Sequence, residues 1–409
     1  MEKVVVRPVE STDLPDVDKL RILAYPHLPE ARYVDWHSSI WRWLESHPLA
    51  DQMYRWILVT EEGEVVGHLA ATPQYYRVNG QRVIAHTPAD YQVLPRYGFH
   101  ALLLMRKFFR TVQNCVACDM MPAVIRVETR LGAEVAGDLH YAAKLFNVSR
   151  LPVPPIPSPI KRLLGIKEQT VPTRGYENQF GAVPLDEEQE APPPMRPRVP
   201  LPAPVKDLLN GGLQVIDEVL GVAFGGSLKV EVLEGFDESF DELFEKIAAV
   251  VPCLPEKDAA FLRWRYGPGS PQAPITILGV RGEEGLLGYA VLEVTAKNRD
   301  GFRDAYILDL VTLPGRRDVA RALLRESVRH FRRSGAPLIR YRFLMSPTSP
   351  QSSDLWRFGF FYRNKRRNTL LVKFADRGLH KVANDAANWS YSIGDGEATF
   401  WVRGRNFDR

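Results

Sequence analysis

The distribution of proline constrains this chain more than any other feature. Of 32 prolines in 409 residues, 14 fall between Pro152 and Pro204. Proline fixes φ and has no amide hydrogen, so a run this dense disfavours both helix and sheet. The acidic run Asp186-Glu187-Glu188-Gln189-Glu190 lies inside it. Residues 152–205 therefore read as an interdomain linker, semi-rigid at its ends, with 160–166 as a short docked turn. The alternative is a proline-rich ligand for a partner. Setting the linker apart leaves 1–151 and 206–409, each of a size suited to one domain.

Composition narrows the class. Apolar residues make up 45% and charged residues 25%, an ordinary balance for a globular protein. A net charge of +4 is too weak to suggest a nucleic-acid binder. Three cysteines cannot build a disulfide framework and suit a reducing compartment. The start Met-Glu-Lys-Val-Val-Val-Arg-Pro has no signal-peptide pattern, and no apolar stretch is long enough to span a membrane. A cytoplasmic protein is expected.

Strand and helix patterns alternate before the linker. Residues 4–9 read as a strand, Ser11-Thr12-Asp13 as N-caps for a helix to about residue 24, and 36–44 as an aromatic helix. Strands follow at 56–60, 65–76 and 83–93, joined by turns at Glu61-Glu62-Gly63-Glu64 and Asn79-Gly80. A helix at 101–112, a buried strand at 114–120, a helix at 123–131 stopped by Gly132, and strand pattern in 135–148 complete this half. After the linker, a helix at 205–220 joins the halves. The order then returns: strand 228–233, helix 239–250, hairpin 275–280 and 288–295, strand 305–311, helix 316–333, strand 338–343, a short helix 355–358 stopped by Gly359, and strand 369–374. The expected fold class is α+β (an α/β three-layer arrangement), with two similar domains in tandem.

The most informative segment is Asp90-Tyr91-Gln92-Val93-Leu94-Pro95-Arg96-Tyr97-Gly98-Phe99-His100-Ala101-Leu102-Leu103. It runs from a strand through a glycine-containing turn into a helix. Amides at such a turn point into one concavity, and the helix dipole adds positive potential, so a phosphate suits the place. This segment resembles the acyl-CoA-binding motif of the GNAT superfamily of N-acyltransferases, where a strand ending Val-x-Pro leads into Arg/Gln-x-x-Gly-x-Gly/Ala. Val93 and Pro95 match the strand end. Arg96 and Gly98 match the loop types with a spacing one residue short, and His100 stands at the second small position, before Ala101. Flanking motifs also resemble the family: Glu64-Val65-Val66-Gly67-His68 and Arg130-Leu131-Gly132-Ala133 in the first half, Gly285-Leu286-Leu287-Gly288-Tyr289 and Trp356-Arg357-Phe358-Gly359-Phe360 in the second. The loop Leu313-Pro314-Gly315-Arg316-Arg317 lacks a glycine after Arg316, so the second half reads as GNAT-like with a degenerate cofactor loop. The resemblance covers about 1–150 and 226–375.

The resemblance implies an N-acyltransferase that passes an acyl group, most simply acetyl, from acyl-CoA to an amine. Val93, Leu94, Pro95, Arg96, Tyr97, Gly98, Phe99, His100 and Ala101 would hold the cofactor, with no metal. Asp90 would be the base or touch the substrate; the plainer reading is a hydrogen bond to a neighbouring strand or a bulge cap. The family's acid tyrosine position holds Glu128, a surface residue on the plainer reading, so another group such as Tyr141 or Tyr91 would donate the proton, or the thiolate would leave unaided, or this domain would only bind. By association, the acceptor is an amine of a small molecule or of a sugar or cell-envelope precursor in a bacterial protein. Alternatives are a Fem-type aminoacyl transferase with a charged-tRNA or carrier donor, and a non-catalytic binding protein.

Three further patterns carry two readings each. Arg317, Arg321, Arg325 and Arg329 form one face of a helix, either solvated or met by an acidic partner. Cys115-Val116-Ala117-Cys118 has no second pair and reads as packing rather than as a metal or redox site. Trp264-Arg265-Tyr266, with Trp36, Trp41 and Trp43, would line a sugar or acyl pocket or belong to the core. The second domain would shape the acceptor site or form a homodimer.

Overall fold

A computed structural model describes residues 3–24, 34–148, 203–271, 274–295, 303–363 and 368–396. The linker, except for its last three residues, and the 160–166 turn lie outside the described residues. The strands are β1 (Val4–Pro8), β2 (Tyr54–Thr60), β3 (Val65–Val78), β4 (Gln81–Val93), β5 (Cys115–Asp119), β6 (Glu134–Asp138), β7 (His140–Leu145), β8 (Glu231–Leu233), β9 (Cys253–Pro255), β10 (Ile275–Gly282), β11 (Gly285–Val294), β12 (Ala305–Thr312), β13 (Leu338–Phe343), β14 (Phe361–Tyr362) and β15 (Thr369–Lys373). The helices are α1 (Leu14–Ala24), α2 (Val34–Glu45), α3 (Ala101–Thr111), α4 (Pro122–Arg130), α5 (Ala203–Phe224), α6 (Ser239–Ala248), α7 (Ala259–Tyr266), α8 (Arg317–Arg333), α9 (Ser352–Arg357) and α10 (Arg377–Ala383).

Local chemistry explains most boundaries. Asn79 and Gly80 take φ of 50° and 77°, the paired left-handed conformation of a type I′ hairpin turn. Gly132 and Gly359 take φ of 97° and 75° after α4 and α9, where a side chain would be strained. Ser11-Thr12-Asp13 form a separate 3-10 turn rather than capping α1 directly; the Asp13 carboxylate accepts from the Glu10 amide at 2.8 Å and from Arg7 at 2.6 and 2.7 Å. The joining helix α5 starts at Ala203, inside the stretch expected to be linker.

The strands form two sheets with the same order. The first runs β1-β2-β3-β4-β5-β15-β6, with β9 added to the edge of β3; the second, read from its far edge, runs β8-β10-β11-β12-β13-β7-β14. The penultimate strand of each sheet comes from the other half of the chain. β7 leaves the first half to pair with β13, Tyr141 opposite Arg342, and β15 leaves the second half to pair with β5, Leu371 opposite Ala117. The strand patterns at 135–148 and 369–374 were each expected to close their own half; β7 and β15 close the other.

The sheets are knitted further by the segment after α10. Trp389 is fully buried, packs 6.0 Å from Tyr76 and donates to the Ala383 carbonyl at 2.6 Å. Ser390 N–H donates to the Cys253 carbonyl at 2.9 Å, and Leu344 N–H to the Tyr391 carbonyl at 2.8 Å. Trp41, Trp43 and Trp264 are core residues, which overturns the ligand-pocket reading of these aromatics.

Candidate functional site

In the first sheet, β3 and β4 lose register between His68 and Ala70, and Asp90 on the bulged strand takes φ of 50°. A bulge bends the strand and redirects its side chains. β4 and β5, parallel neighbours, share one paired position, His86 opposite Cys115. Beyond it the Thr87 hydroxyl still donates to the Val116 carbonyl at 2.7 Å, but the backbone pairing has ended. This gap, with the chain that follows β4, is the candidate site.

The following turn differs from an open amide cradle. Residues Pro95–His100 form a 3-10 turn that runs straight into α3. Tyr97 N–H donates to the Leu94 carbonyl at 2.8 Å, and Ala101 N–H to the Gly98 carbonyl. A 3-10 turn consumes its amides internally, so the expected concavity of free N–H groups is largely filled. Tyr97 and Gly98 are buried, Phe99 is 77% exposed, and Arg96 reaches back to pair with Glu64 on the surface.

Asp90 and Tyr91 point to opposite faces. The buried Asp90 carboxylate pairs with Arg21 of α1, whose Nε donates at 3.1 Å, and accepts from Gln92 Nε2. His68 Nδ1 lies 3.0 Å from the Asp90 carbonyl and 3.3 Å from Oδ2. Burial alone would raise this carboxyl, but the Arg21 charge and His68 hold it well below the usual carboxylate range. An anion so held is a weak proton acceptor at neutral pH, and its place matches the plainer strand-and-bulge reading.

Tyr91 faces the other way, its phenol pushed up by burial and then by the Glu128 charge. Glu128 is not a surface residue: it is 1% exposed, the buried position of α4. The charge of Glu128, on α4, thus bears on Tyr91 of β4. Tyr141 stands apart, on β7 in the second sheet, with the Arg342 guanidinium 4.4 Å above its ring.

Sequence reasoning missed a counterpart in the second sheet. β12 and β13 pair over Ala305, Tyr306 and Ile307 before β12 runs on to Thr312. Here Asp309 holds a position like that of Asp90, and the buried Lys257 donates to it at 2.6 Å and to Asp395 at 2.9 Å. Tyr266 donates to Asp309 at 2.6 Å, and Ser392 to both carboxylates. Burial pushes Asp395 up to about 6 against the pull of Lys257, and Asp309 adds to the rise. A Cβ at Gly394 would collide with the Tyr266 hydroxyl and lie 2.8 Å from the Leu308 carbonyl, so the tail fits only as glycine there. The signal was present as a repeat: Asp90-Tyr91-Gln92-Val93-Leu94-Pro95 and Asp309-Leu310-Val311-Thr312-Leu313-Pro314 share D-x-x-V/T-L-P.

The arginine face of α8 is engaged within the chain. Arg317 and Arg321 both donate to the fully buried Asp354, at 3.0 and 2.7 Å. Arg325 donates to the carbonyls of Gly225 at 3.0 Å and Leu228 at 2.9 Å, and Arg329 to Glu326 at 2.7 Å. The acidic groups expected from a partner are here internal ones. Cys115 is buried in β5, where burial raises its thiol well above the usual range.

No protein-family model and no curated protein sequence matches the chain. Solved structures do. A GCN5-related N-acetyltransferase from Anabaena variabilis superposes with a TM-score of 0.53 at 13% identity, covering 91% of this chain and 73% of that one. One from Kribbella flavida gives 0.53 at 13%, covering 92% and 72%. The N-myristoyltransferase of Saccharomyces cerevisiae, solved with myristoyl-CoA and inhibitors, gives 0.50 at 12%, covering 91% and 80%. At such identities the likeness speaks for architecture alone: this chain has the α+β fold of the GCN5-related N-acyltransferases.

Proposed function

We propose that the chain is an acyl-CoA-dependent N-acyltransferase whose reaction takes place in the gap between β4 and β5. The observation that carries this reading is that backbone pairing between these parallel strands ends after the single His86–Cys115 pair, before the bulge in β4 and the 95–101 turn. A thioester inserted there lies against strand backbone, and an amine enters from the opposite side. The amine nitrogen attacks the thioester carbonyl, the C–S bond breaks, and the thiolate leaves as thiol after taking a proton. Tyr91 and Glu128 are the groups assigned to that proton traffic. Asp90 is assigned a positioning role, fixing the bulge through Arg21 and His68.

Because the 3-10 turn uses its own amides, the phosphates of the cofactor are assigned to side chains. Arg96, whose side chain is 61% exposed, would exchange Glu64 for a phosphate, with His100 beside it. The acceptors to screen are amines of small molecules and of sugar or cell-envelope precursors, and acetyl is the first acyl group to try.

The test is calorimetric titration of the full chain with acetyl-CoA and myristoyl-CoA, alongside Arg96→Glu and Gly98→Trp variants with unchanged melting. Micromolar binding that both variants weaken supports the reading. Heat from no CoA species overturns it and favours a non-catalytic binding protein, for which the filled amide turn and the locked Asp90 already speak.

A further inference from the structure

α3 and α4 carry a charge arrangement that α8 lacks. Arg106, Lys107 and Arg110 of α3 and Arg126 and Arg130 of α4 are all exposed. None of them makes an ion pair or a side-chain hydrogen bond among the described residues. The arginines of α8, by contrast, are met by Asp354, Glu326 and backbone carbonyls of the chain itself. α3 has no acidic residue, and the one acidic residue of α4, Glu128, is buried. Like charges one turn apart, Arg106 with Arg110 and Arg126 with Arg130, work against helix stability, and nothing within the described residues offsets them.

These cations share one face, and the face adjoins the gap. Ala101, Leu104, Met105, Phe108 and Phe109 form the buried side of α3, which puts its basic residues on the outer side. The two helices touch, α3 packed on β4 and α4 on β15. Lys373 of β15 joins them, 5.1 Å from the Phe109 ring and 3.5 Å from the Leu131 carbonyl at the end of α4. β4 and β5 are parallel, and α3 and α4 begin beyond their C-terminal ends, at the mouth of the gap. At 1.5 Å per residue the cations lie about 6–14 Å along the helices from their starts. The CoA phosphates are already assigned to Arg96 and His100, and CoA carries too little further charge to engage a face spread over two helices. A partner with many carboxylates does engage it. Phe99, 77% exposed at the head of α3, gives that partner an apolar contact beside the charged one. α3 and α4 themselves expose no aromatic ring on which a base could stack, since Phe108 and Phe109 are buried.

We propose that this face docks a small acidic carrier protein that presents the acyl group as a phosphopantetheine thioester. Held on α3 and α4 by its carboxylates, the carrier feeds its thioester arm into the gap between β4 and β5. The amine attacks the thioester carbonyl, the C–S bond breaks, the proton given up by the amine goes to the thiolate, and the thiol stays on the carrier. This chemistry rests on the transferase reading; the docking rests on the charges alone.

The test is calorimetric titration of the full chain with an acidic acyl carrier protein acetylated on its phosphopantetheine, with acetyl-CoA titrated in parallel. Two double variants are compared, Arg106→Glu with Arg110→Glu and Arg126→Glu with Arg130→Glu; all four positions are exposed, and an unchanged melt confirms folding. The wild type is expected to bind the carrier at micromolar levels and more weakly as salt rises. Each double variant should bind it on the order of tenfold more weakly or worse, with acetyl-CoA affinity unchanged. A carrier that does not bind, or that binds both variants as well as the wild type, overturns the proposal, whatever acetyl-CoA does. Carrier binding that the variants lose, in a chain that takes no acetyl-CoA, upholds the docking and removes the CoA reading. A short oligouridylate is the third titrant. RNA bound in place of the carrier and lost in the variants overturns the proposal and gives the face to a nucleic acid.

Discussion

The indole of Trp43 donates to the carbonyl of Trp264, and the indole of Trp264 donates to the carbonyl of Trp43, each at 2.8 Å. The rings stack 4.6 Å apart and 4° from parallel. Trp43 belongs to α2 and Trp264 to α7, so this reciprocal pair joins the two halves of the chain. Changing either to Phe keeps an aromatic ring and removes one donor, which should cost about 1–2 kcal/mol. Changing either to Ala should cost about 3–5 kcal/mol. Urea unfolding of the two Phe variants and their combination should give a coupling of about 0.5–3 kcal/mol. Strict additivity would mean that the halves do not communicate through this contact.

His47 packs against the same pair, 4.1 Å from the Trp264 ring, with its Nδ1 accepting from the Leu49 amide at 2.9 Å. Burial, then the charges of Arg265 and His86, push its imidazole down to about 3. The unfolded chain therefore binds a proton that the folded chain refuses. The stabilisation is complete above the unfolded value of about 6.5 and falls as pH drops toward about 3, by about 1.4 kcal/mol per pH unit. In His47→Asn, whose amide oxygen replaces the Nδ1 acceptor, this component should vanish. Denaturant midpoints for both proteins from pH 8 to pH 4 check this, and parallel curves would refute it.

What the sequence makes legible here is what is decided locally. The Asn79-Gly80 turn and the glycine stops at Gly132 and Gly359 follow from φ requirements that few other residues meet. The destination of β7 and β15 is not local: both sheets present the same gap beside their fifth strand, and strand periodicity says which face is apolar, not which edge is joined. Asp90 stands out by residue type, but its partner Arg21 lies 69 positions away. Glu128 was readable. It falls four residues after Val124 and three before Leu131, on the apolar stripe of its helix, so its burial follows from spacing that residue type alone obscures.

Glu128 and Asp90 should separate in their effects. Glu128→Gln keeps shape and removes the charge that bears on Tyr91, so kcat should fall on the order of 10²–10⁴-fold with acyl-CoA affinity nearly unchanged. Asp90→Asn leaves the buried Arg21 only the carboxylate of Asp18, 3.4 Å away, so stability should fall by up to about 3–5 kcal/mol. Turnover per folded molecule should drop less for Asp90→Asn than for Glu128→Gln. Steady-state kinetics with unfolding curves for both variants would show the reverse assignment if Asp90 is the base.

Exchange of β7 and β15 makes each half incomplete without the other. Residues 1–148 alone leave β5 without β15 and leave β7 with no sheet; residues 203–396 alone leave β13 without β7 and leave β15 unpaired. Unpaired inner edges and uncovered apolar faces favour aggregation over folding. Expressed singly, each half should therefore lack a cooperative melt, and coexpressed they should assemble into one stable particle. A protease site placed between 152 and 202 should likewise give two fragments that co-elute and melt as one. Two halves that fold cooperatively by themselves would show that the exchanged strands are dispensable, and that the sheets owe their stability to β1–β5 and β8–β13 alone.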